Sequence, residues 1–313
     1  MSTYSDPKLA KVYELLETLE VEQAKDFLSK ELVYDLSNPE ILFCLKTCGF
    51  WIIRKSEICD LSETFEKAER YLLNWKEFID LMGEEIKSHE QCLYSIRKGI
   101  FSNALDLYTS ILEQTTSQNS TQIPLLEARI ALCHKEIGDY KLALRCFEEA
   151  HKLARDDSQI LAEMADCYAL CGDDKMSKLL FREAFYIDPQ GIDIKFLESE
   201  MFCRLYDKVK QKYPENDIAA EWIPVEGLLL GVLNVKRELS SIEVGKLKQN
   251  IFAIDTELKS NGNQSELLIP RLINNYFWLI DHYVATNEND SKINDVLKSI
   301  KLLNKDIFER YTV

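Results

Sequence analysis

Between residues 124 and 191 the apolar positions of the chain fall into two superimposable sets. Ile130, Ala131, His134, Gly138, Ala143, Phe147 and Ala150 recur 34 residues later as Met164, Ala165, Tyr168, Gly172, Ser177, Phe181 and Ala184. In each set apolar residues return at helical spacing, a glycine interrupts them, and a second amphipathic run follows. The pattern predicts two helix–turn–helix units, 124–157 and 158–191. Asp139 and Asp173 follow the glycines, where a helix start favours a short acidic side chain. Asp156, Asp157 and Ser158 are placed to cap the next helix. Asp188-Pro189 closes the second unit, because the residue before proline avoids helical geometry. Small residues (Ala131, Ala143, Ala150 and their equivalents) alternate with Phe147 and Phe181, as interdigitating helices require. A fixed period of this size marks a helical repeat array, which presents an extended surface to another molecule.

Helical periodicity continues on both sides with weaker punctuation. Upstream, Cys92, Gly99, Phe101, Ala104, Tyr108 and Ile111 align to the same template, with Gly99 at the turn. Gly99 and Gly138 are 39 residues apart, and the polar run Gln114–Gln122 has room for the five extra residues. Residues 6–36 read as two helices, with Ala24 and Leu28 at repeat-like spacing. Asn38-Pro39 opens the next pair, and Ala68, Leu72 and Trp75 repeat the small–aromatic theme, so 6–82 reads as two degenerate units. Towards the C-terminus, breaks are expected at Tyr213-Pro214, Ile223-Pro224, 259–265 and 286–291. Leu268, Leu272, Tyr276, Ile280 and Val284 form one helical stripe, with Pro270 tolerated in the first turn. Val296, Ile300, Leu303 and Ile307 form another on the last helix. The chain thus divides into 1–84, degenerate N-terminal repeats; 85–191, the regular repeats; and 192–313, a C-terminal helical region of divergent repeats or a capping bundle.

Composition agrees with this picture and narrows the partners. Ten glycines and seven prolines are few for a chain built from hairpins, and 46% hydrophobic residues suffice for a core. The net charge is −15, and no third is basic: Lys+Arg against Asp+Glu is 10 to 17 over 1–84, 12 to 17 over 85–190 and 16 to 19 over 191–313. Phosphate backbones are held mainly by Lys and Arg, so nucleic acid is an unexpected partner, as is an anionic membrane surface. The apolar stretch around Val225–Val235 is too short to span a bilayer, so no membrane insertion is expected. The start MSTYSDPKLAKVYELL lacks the apolar segment of an export signal, and nine cysteines then read as reduced thiols in a cytoplasm.

Catalytic motifs are missing. The glycines form neither GxGxxG nor GxxxxGK[ST], and there is no HExxH or GxSxG. Acidic pairs such as Glu148-Glu149 fit a solvated helix face. Cys44/Cys48 and Cys167/Cys171 each share a helical face, and Cys133 and Cys167 hold equivalent repeat positions. Without a CxxC knuckle these read as small packing residues, and neither metal nor cofactor is expected. Gly227 and Gly231 form GxxxG, read as a tight contact between helices. Trp51, Trp75, Trp222 and Trp278 lie outside the regular repeats and read as core. The expected protein is not an enzyme.

The series Leu161, Met164, Ala165, Tyr168, Gly172, Ser177, Phe181, Ala184, Pro189 resembles the tetratricopeptide repeat (TPR) family throughout. The preceding unit departs at His134, where the family has an aromatic, and at Arg155, where it has proline. The resemblance implies an all-α fold, a right-handed superhelical array of antiparallel helix pairs (a TPR-like α-solenoid) with extra C-terminal helices. It also implies that the first helix of each repeat lines a concave groove: His89, Leu93 and Ile96; Ala128, Arg129, Leu132 and Lys135; Ala162, Glu163, Asp166 and Ala169. Some TPR proteins clamp chaperone C-termini with Lys and Asn here; Leu93, Leu132 and Asp166 occupy the Asn-type position, so that clamp is not expected. A groove with an apolar floor and mixed charge suits an amphipathic helix or extended peptide of a protein partner. The chain's own terminal helices are the competing occupant of that groove, since arrays need capping. Self-association through an exposed end of the array is a second use of the same fold. The alternative from another class is a regulatory or enzyme-accessory module with a small-molecule pocket in 192–313.

Overall fold

The structure, a computed structural model, describes residues 7–115, 122–260 and 265–312. Among these residues there are fifteen α-helices, a few 3-10 turns and no strand, so the protein is all-α. Two compact units are present, residues 1–153 and 154–313, and the division falls inside the 85–191 stretch.

Unit 1 holds α1 (Pro7–Glu17), α2 (Val21–Leu32), α3 (Pro39–Cys59), α4 (Thr64–Met82), α5 (Glu90–Gln114), α6 (Ile123–Ile137) and α7 (Tyr140–Leu153). Proline at its first position and Asn38 at its cap start α3: the Asn38 Oδ1 accepts the N–H groups of Glu40 at 3.0 Å and Ile41 at 3.2 Å. α5 is the centre of the unit and packs on α1, α3, α4 and α6. Phe101 of α5 packs with Trp75 and Phe78 of α4 and Trp51 of α3 in one buried aromatic group, with Trp75–Phe78 and Trp75–Phe101 ring centroids each 5.7 Å apart.

Gly99 does not make the expected turn. It lies inside the unbroken 25-residue α5, and a Cβ there would stand 2.2 Å from the Leu16 carbonyl oxygen. The glycine is needed for a close approach of α1's last turn rather than for a change of chain direction. The inserted run expected at 114–122 lies mostly outside the described residues.

The hairpin of α6 and α7 carries the expected punctuation. Gly138 closes α6 at φ 99°; its N–H reaches the Lys135 carbonyl at 2.9 Å, and the Asp139 N–H reaches that of His134 at 2.8 Å. Unit 2 opens with the same construction between α8 (Ser158–Leu170) and α9 (Asp174–Ile187). Gly172 has φ 86°, with bonds from Gly172 to Ala169 at 2.9 Å and from Asp173 to Tyr168 at 2.8 Å. In both, the left-handed residue lets two terminal carbonyls of the first helix be satisfied. Asp157 and Asp173 cap α8 and α9 through the N–H groups of Ile160 and Met176, each at 3.0 Å. Ala131, Ala143, Ala150, Ala165, Ser177 and Ala184 are wholly buried.

The rest of unit 2 comprises α10 (Glu200–Lys212), α11 (Asn216–Leu229), α12 (Ser241–Ser260), α13 (Ser265–Ala285), α14 (Asp290–Leu303) and α15 (Lys305–Thr312). α11 packs on α9, α10 and α13, and α13 also packs on α12 and α14. Four local expectations change here. No break occurs at Pro224, which sits inside α11 in a run buried from Ala219 to Gly227; packing on every side outweighs a proline penalty of about 3 kcal/mol. Pro270 is the sixth residue of α13, beyond its first turn, and buried in the same way. The stripe ending at Ile307 is shared by two helices, because Asn304 interrupts it and caps α15 through the Ile307 N–H at 3.1 Å. Gly227 and Gly231 act separately: a Cβ on Gly227 would meet Leu233 at 2.8 Å and Leu205 at 3.0 Å, whereas Gly231, at φ 71°, follows the end of α11.

A buried ion pair joins distant parts of this unit. Arg182 of α9 meets Asp281 of α13, donates to the Val235 carbonyl at 3.0 Å and lies 4.6 Å over the Trp278 ring. Lys236 reaches the other Asp281 oxygen at 2.6 Å. All four tryptophans are buried, as core residues should be.

Gly99→Ala tests the α1–α5 approach. In an open helix the change gains about 1 kcal/mol; here overpacking against backbone is expected to cost about 1–3 kcal/mol. A lower urea midpoint checks this, and a raised midpoint would show that α1 is not seated on Gly99.

Candidate functional site

The expected groove residues fall into two groups. Ile96, Leu132, Lys135, Ala162, Glu163 and Asp166 are buried, while His89, Leu93, Ala128, Arg129 and Ala169 keep partial exposure. Several have structural work within their own unit. The Arg129 guanidinium forks onto Glu69 of α4, Nε at 2.7 Å and Nη2 at 3.0 Å, and the Tyr108 hydroxyl donates to the same carboxylate at 2.6 Å. In unit 2 the Asp166 carboxylate accepts the N–H groups of Glu198 and Ser199, each at 2.9 Å, at the start of α10. Gln159 donates to Glu163 at 2.9 Å and accepts the Asp193 N–H. The 192–199 connection therefore covers part of the α8 face, and Asp166 and Glu163 hold the chain's own backbone and side chains there. A larger side chain at Ala162, wholly buried, has nowhere to go.

Ala169 opens onto free space. It borders a cleft of about 590 Å³ in unit 2, with Leu170, Met201, Leu205, Leu230 and Val232 as apolar lining and Asp174, Glu200, Arg204 and Lys208 as charged lining. Leu230 is 42% exposed, so apolar surface is accessible there. A second cleft, about 380 Å³, lies against Tyr213, Ile218, Trp222, Ile269 and Leu303 and is bordered by Lys212, Glu215 and Glu266. Two of its lining residues, Tyr213 and Trp222, have their rings stacked at 4.6 Å with 2° between planes.

His89 belongs to a polar cluster in unit 1 that the sequence pattern does not reveal. Its Nδ1 bonds to the Glu40 carboxylate, and its ring stacks on Phe43 at 4.3 Å. The Tyr13 hydroxyl of α1 donates to the other Glu40 oxygen at 2.9 Å. One helical turn along α3, the Cys44 thiol is fully buried beside Cys92 of α5. Donor atoms of Glu40, Cys44 and Cys92 all lie within 4.8 Å of one another, a spacing a metal ion can bridge. Hydrogen bonding with Cys92, together with burial, pushes the Cys44 thiol far above its ordinary pKa. Cys48, a turn further along, is pushed up to about 12 by burial. The Cys167/Cys171 pair is divided, with Cys167 buried and Cys171 exposed.

No protein-family model matches the chain, and no solved structure matches it significantly. A stretch of 86 residues, 28% of the chain, is 34% identical to UBA domain-containing protein 7 of Schizosaccharomyces pombe. That stretch spans 12% of the relative's length, so nothing of its activity transfers with it. Among the described residues, no helix is long and apolar enough to cross a membrane.

Glu226 of α11 borders the second cleft through Lys212. Its carboxylate is 8% exposed and accepts from Arg310 of α15 at 3.1 and 2.6 Å and from Lys212 of α10 at 3.0 Å. Burial alone would raise its pKa; the hydrogen bonds from Arg310 and Lys212 more than offset this and hold it below the usual carboxylate range. Its contribution to stability is therefore complete above the unfolded value of about 4.3 and is lost as pH falls through the lower folded value. Glu226→Gln should lower stability by about 1–3 kcal/mol at neutral pH. The difference should begin to shrink as pH falls below about 4.3 and close only below the lower folded value, as read from urea midpoints across pH; a gap independent of pH would contradict the assignment.

Proposed function

We propose that this chain is a non-catalytic interaction scaffold of the TPR type, an α-solenoid of paired helices acting in the cytoplasm and holding a segment of a protein partner. The observation that carries the reading is the Ala169 cleft: an apolar lining with both signs of charge beside it, at the end of the first helix of a repeat-like hairpin. Such a lining accepts the apolar side of an amphipathic helix, and Asp174 and Glu200 against Arg204 and Lys208 give the bound segment a direction. The matching turns at Gly138 and Gly172, with buried small residues in the same register, support the TPR-type reading. Arg129, Glu163 and Asp166 serve as internal ties in this reading, and the partner-binding surface moves to the free end of α8.

A second reading rests on the 380 Å³ cleft, whose size and stacked aromatic lining suit a small molecule bound within 192–313. The two differ in what Ala169→Arg does. On the scaffold reading, the variant keeps wild-type circular dichroism and binds its captured partner at least about tenfold more weakly, a loss of about 1.4 kcal/mol. Lys298→Glu, on exposed α14, is the control and should bind as wild type does. Unchanged binding by Ala169→Arg, with binding abolished instead by Trp222→Ala, would replace the scaffold with the small-molecule module.

A further inference from the structure

We propose that Glu40, Cys44 and Cys92 form a binding site for a thiophilic divalent cation of the zinc class, with His89 positioning the carboxylate. The site is independent of the scaffold reading and lies in the other unit. Two short spacings build it. Glu40 and Cys44 are four residues apart on one face of α3, and His89 and Cys92 are three apart at the start of α5. Packing of α3 on α5 brings the pairs together, and α1 adds Tyr13.

The donor set is what separates this cluster from ordinary cysteine packing. A buried thiol that merely fills space needs no acid beside it. Here both thiols are wholly buried and converge with a carboxylate that is itself held on both oxygens, by His89 and by Tyr13. Ligating carboxylates are oriented in this way by outer hydrogen bonds, and thiolate sulfur favours zinc over magnesium or calcium. On binding, each thiol releases its proton to solvent as its sulfur takes the cation. The two thiolates then balance the dication, and the hydrogen bonds from His89 and Tyr13 meet the carboxylate charge. The Glu40 and His89 side chains are 21% and 13% exposed, so they mark the way in to thiols that are otherwise closed off. Cys48 is equally buried on the same helix but stands outside the donor set, which makes it the natural control.

The test uses the full chain, reduced and stripped with a chelator, then titrated with Co2+ and Zn2+. The expected result is one saturable cobalt site per chain with a thiolate-to-metal absorption band, displaced by zinc, and a zinc-dependent rise in the thermal midpoint. Cys44→Ser/Cys92→Ser should abolish the band and Cys48→Ser should keep it. His89→Ala should keep the band while weakening affinity about 10–100-fold, the range for an outer hydrogen-bond partner. In wild type, at a urea concentration that opens unit 1 and exposes Cys44 and Cys92 to the reagent, zinc should slow alkylation of these two thiols while exposed Cys59 and Cys171 react as before. Absence of a saturable thiolate band would overturn the proposal, as would its survival in the double variant. If the double variant does not fold, the wild-type alkylation pattern decides: no zinc protection at Cys44 and Cys92 overturns the site.

Discussion

Close approach of helices at residues with little or no side chain is the constraint on which both units depend. Gly99 admits the last turn of α1, and its missing Cβ is replaced by backbone oxygen at a distance no side chain allows. Ala131 with Ala143, and Ala165 with Ser177, are wholly buried in the two hairpins. Gly227 does the same for Leu233 and Leu205. Phe147 and Phe181 are buried in the same hairpins as these small residues. Interiors packed to crystal density leave little room for larger side chains at such positions. The glycines and alanines thus set the distances, and the aromatics fill what remains.

That economy has a consequence for binding. A repeat whose first helix is free can devote its polar side chains to a ligand. In this chain Arg129 forks onto Glu69, and Asp166 takes two backbone N–H groups from the segment leading into α10. Both are charged groups with charge-assisted bonds inside their own unit, and releasing either would leave donors or acceptors unsatisfied. Apolar surface stays exposed at the end of α8, where Ala169, Leu170 and Leu230 lie between charges of both signs. In unit 1 the same close packing brings α1, α3 and α5 near enough for a phenol, a carboxylate, an imidazole and two thiols to meet in one cluster.

The Cys44–Cys92 cluster shows where sequence reading stops. Glu40 and Cys44 stand four residues apart, and His89 and Cys92 three, spacings too common along helices to single either pair out. Their union depends on which face of α3 meets α5, and the long segment between them carries no signal of that. His89, expected at a groove position, is partly exposed and makes its contacts with Glu40 and Phe43. Gly99 shows the opposite error. A glycine aligned with a turn glycine need not make a turn, because the same lack of Cβ also permits close packing within an unbroken helix.

By itself the sequence determined the all-α class, the helix starts after Asn38, Asp157 and Asp173 and the turns at Gly138 and Gly172, because these rest on local physics: helical periodicity, side-chain capping, and the left-handed conformation that glycine adopts freely. Only the tertiary structure decided that α11 runs through Pro224, that the apolar stripe ending at Ile307 belongs to two helices, and which groove residues remain exposed. Those outcomes depend on burial against distant segments, such as the Arg182–Asp281 pair joining α9 to α13. Packing energies of several kcal/mol override a local preference worth less, and they arise from contacts between residues that no short window contains.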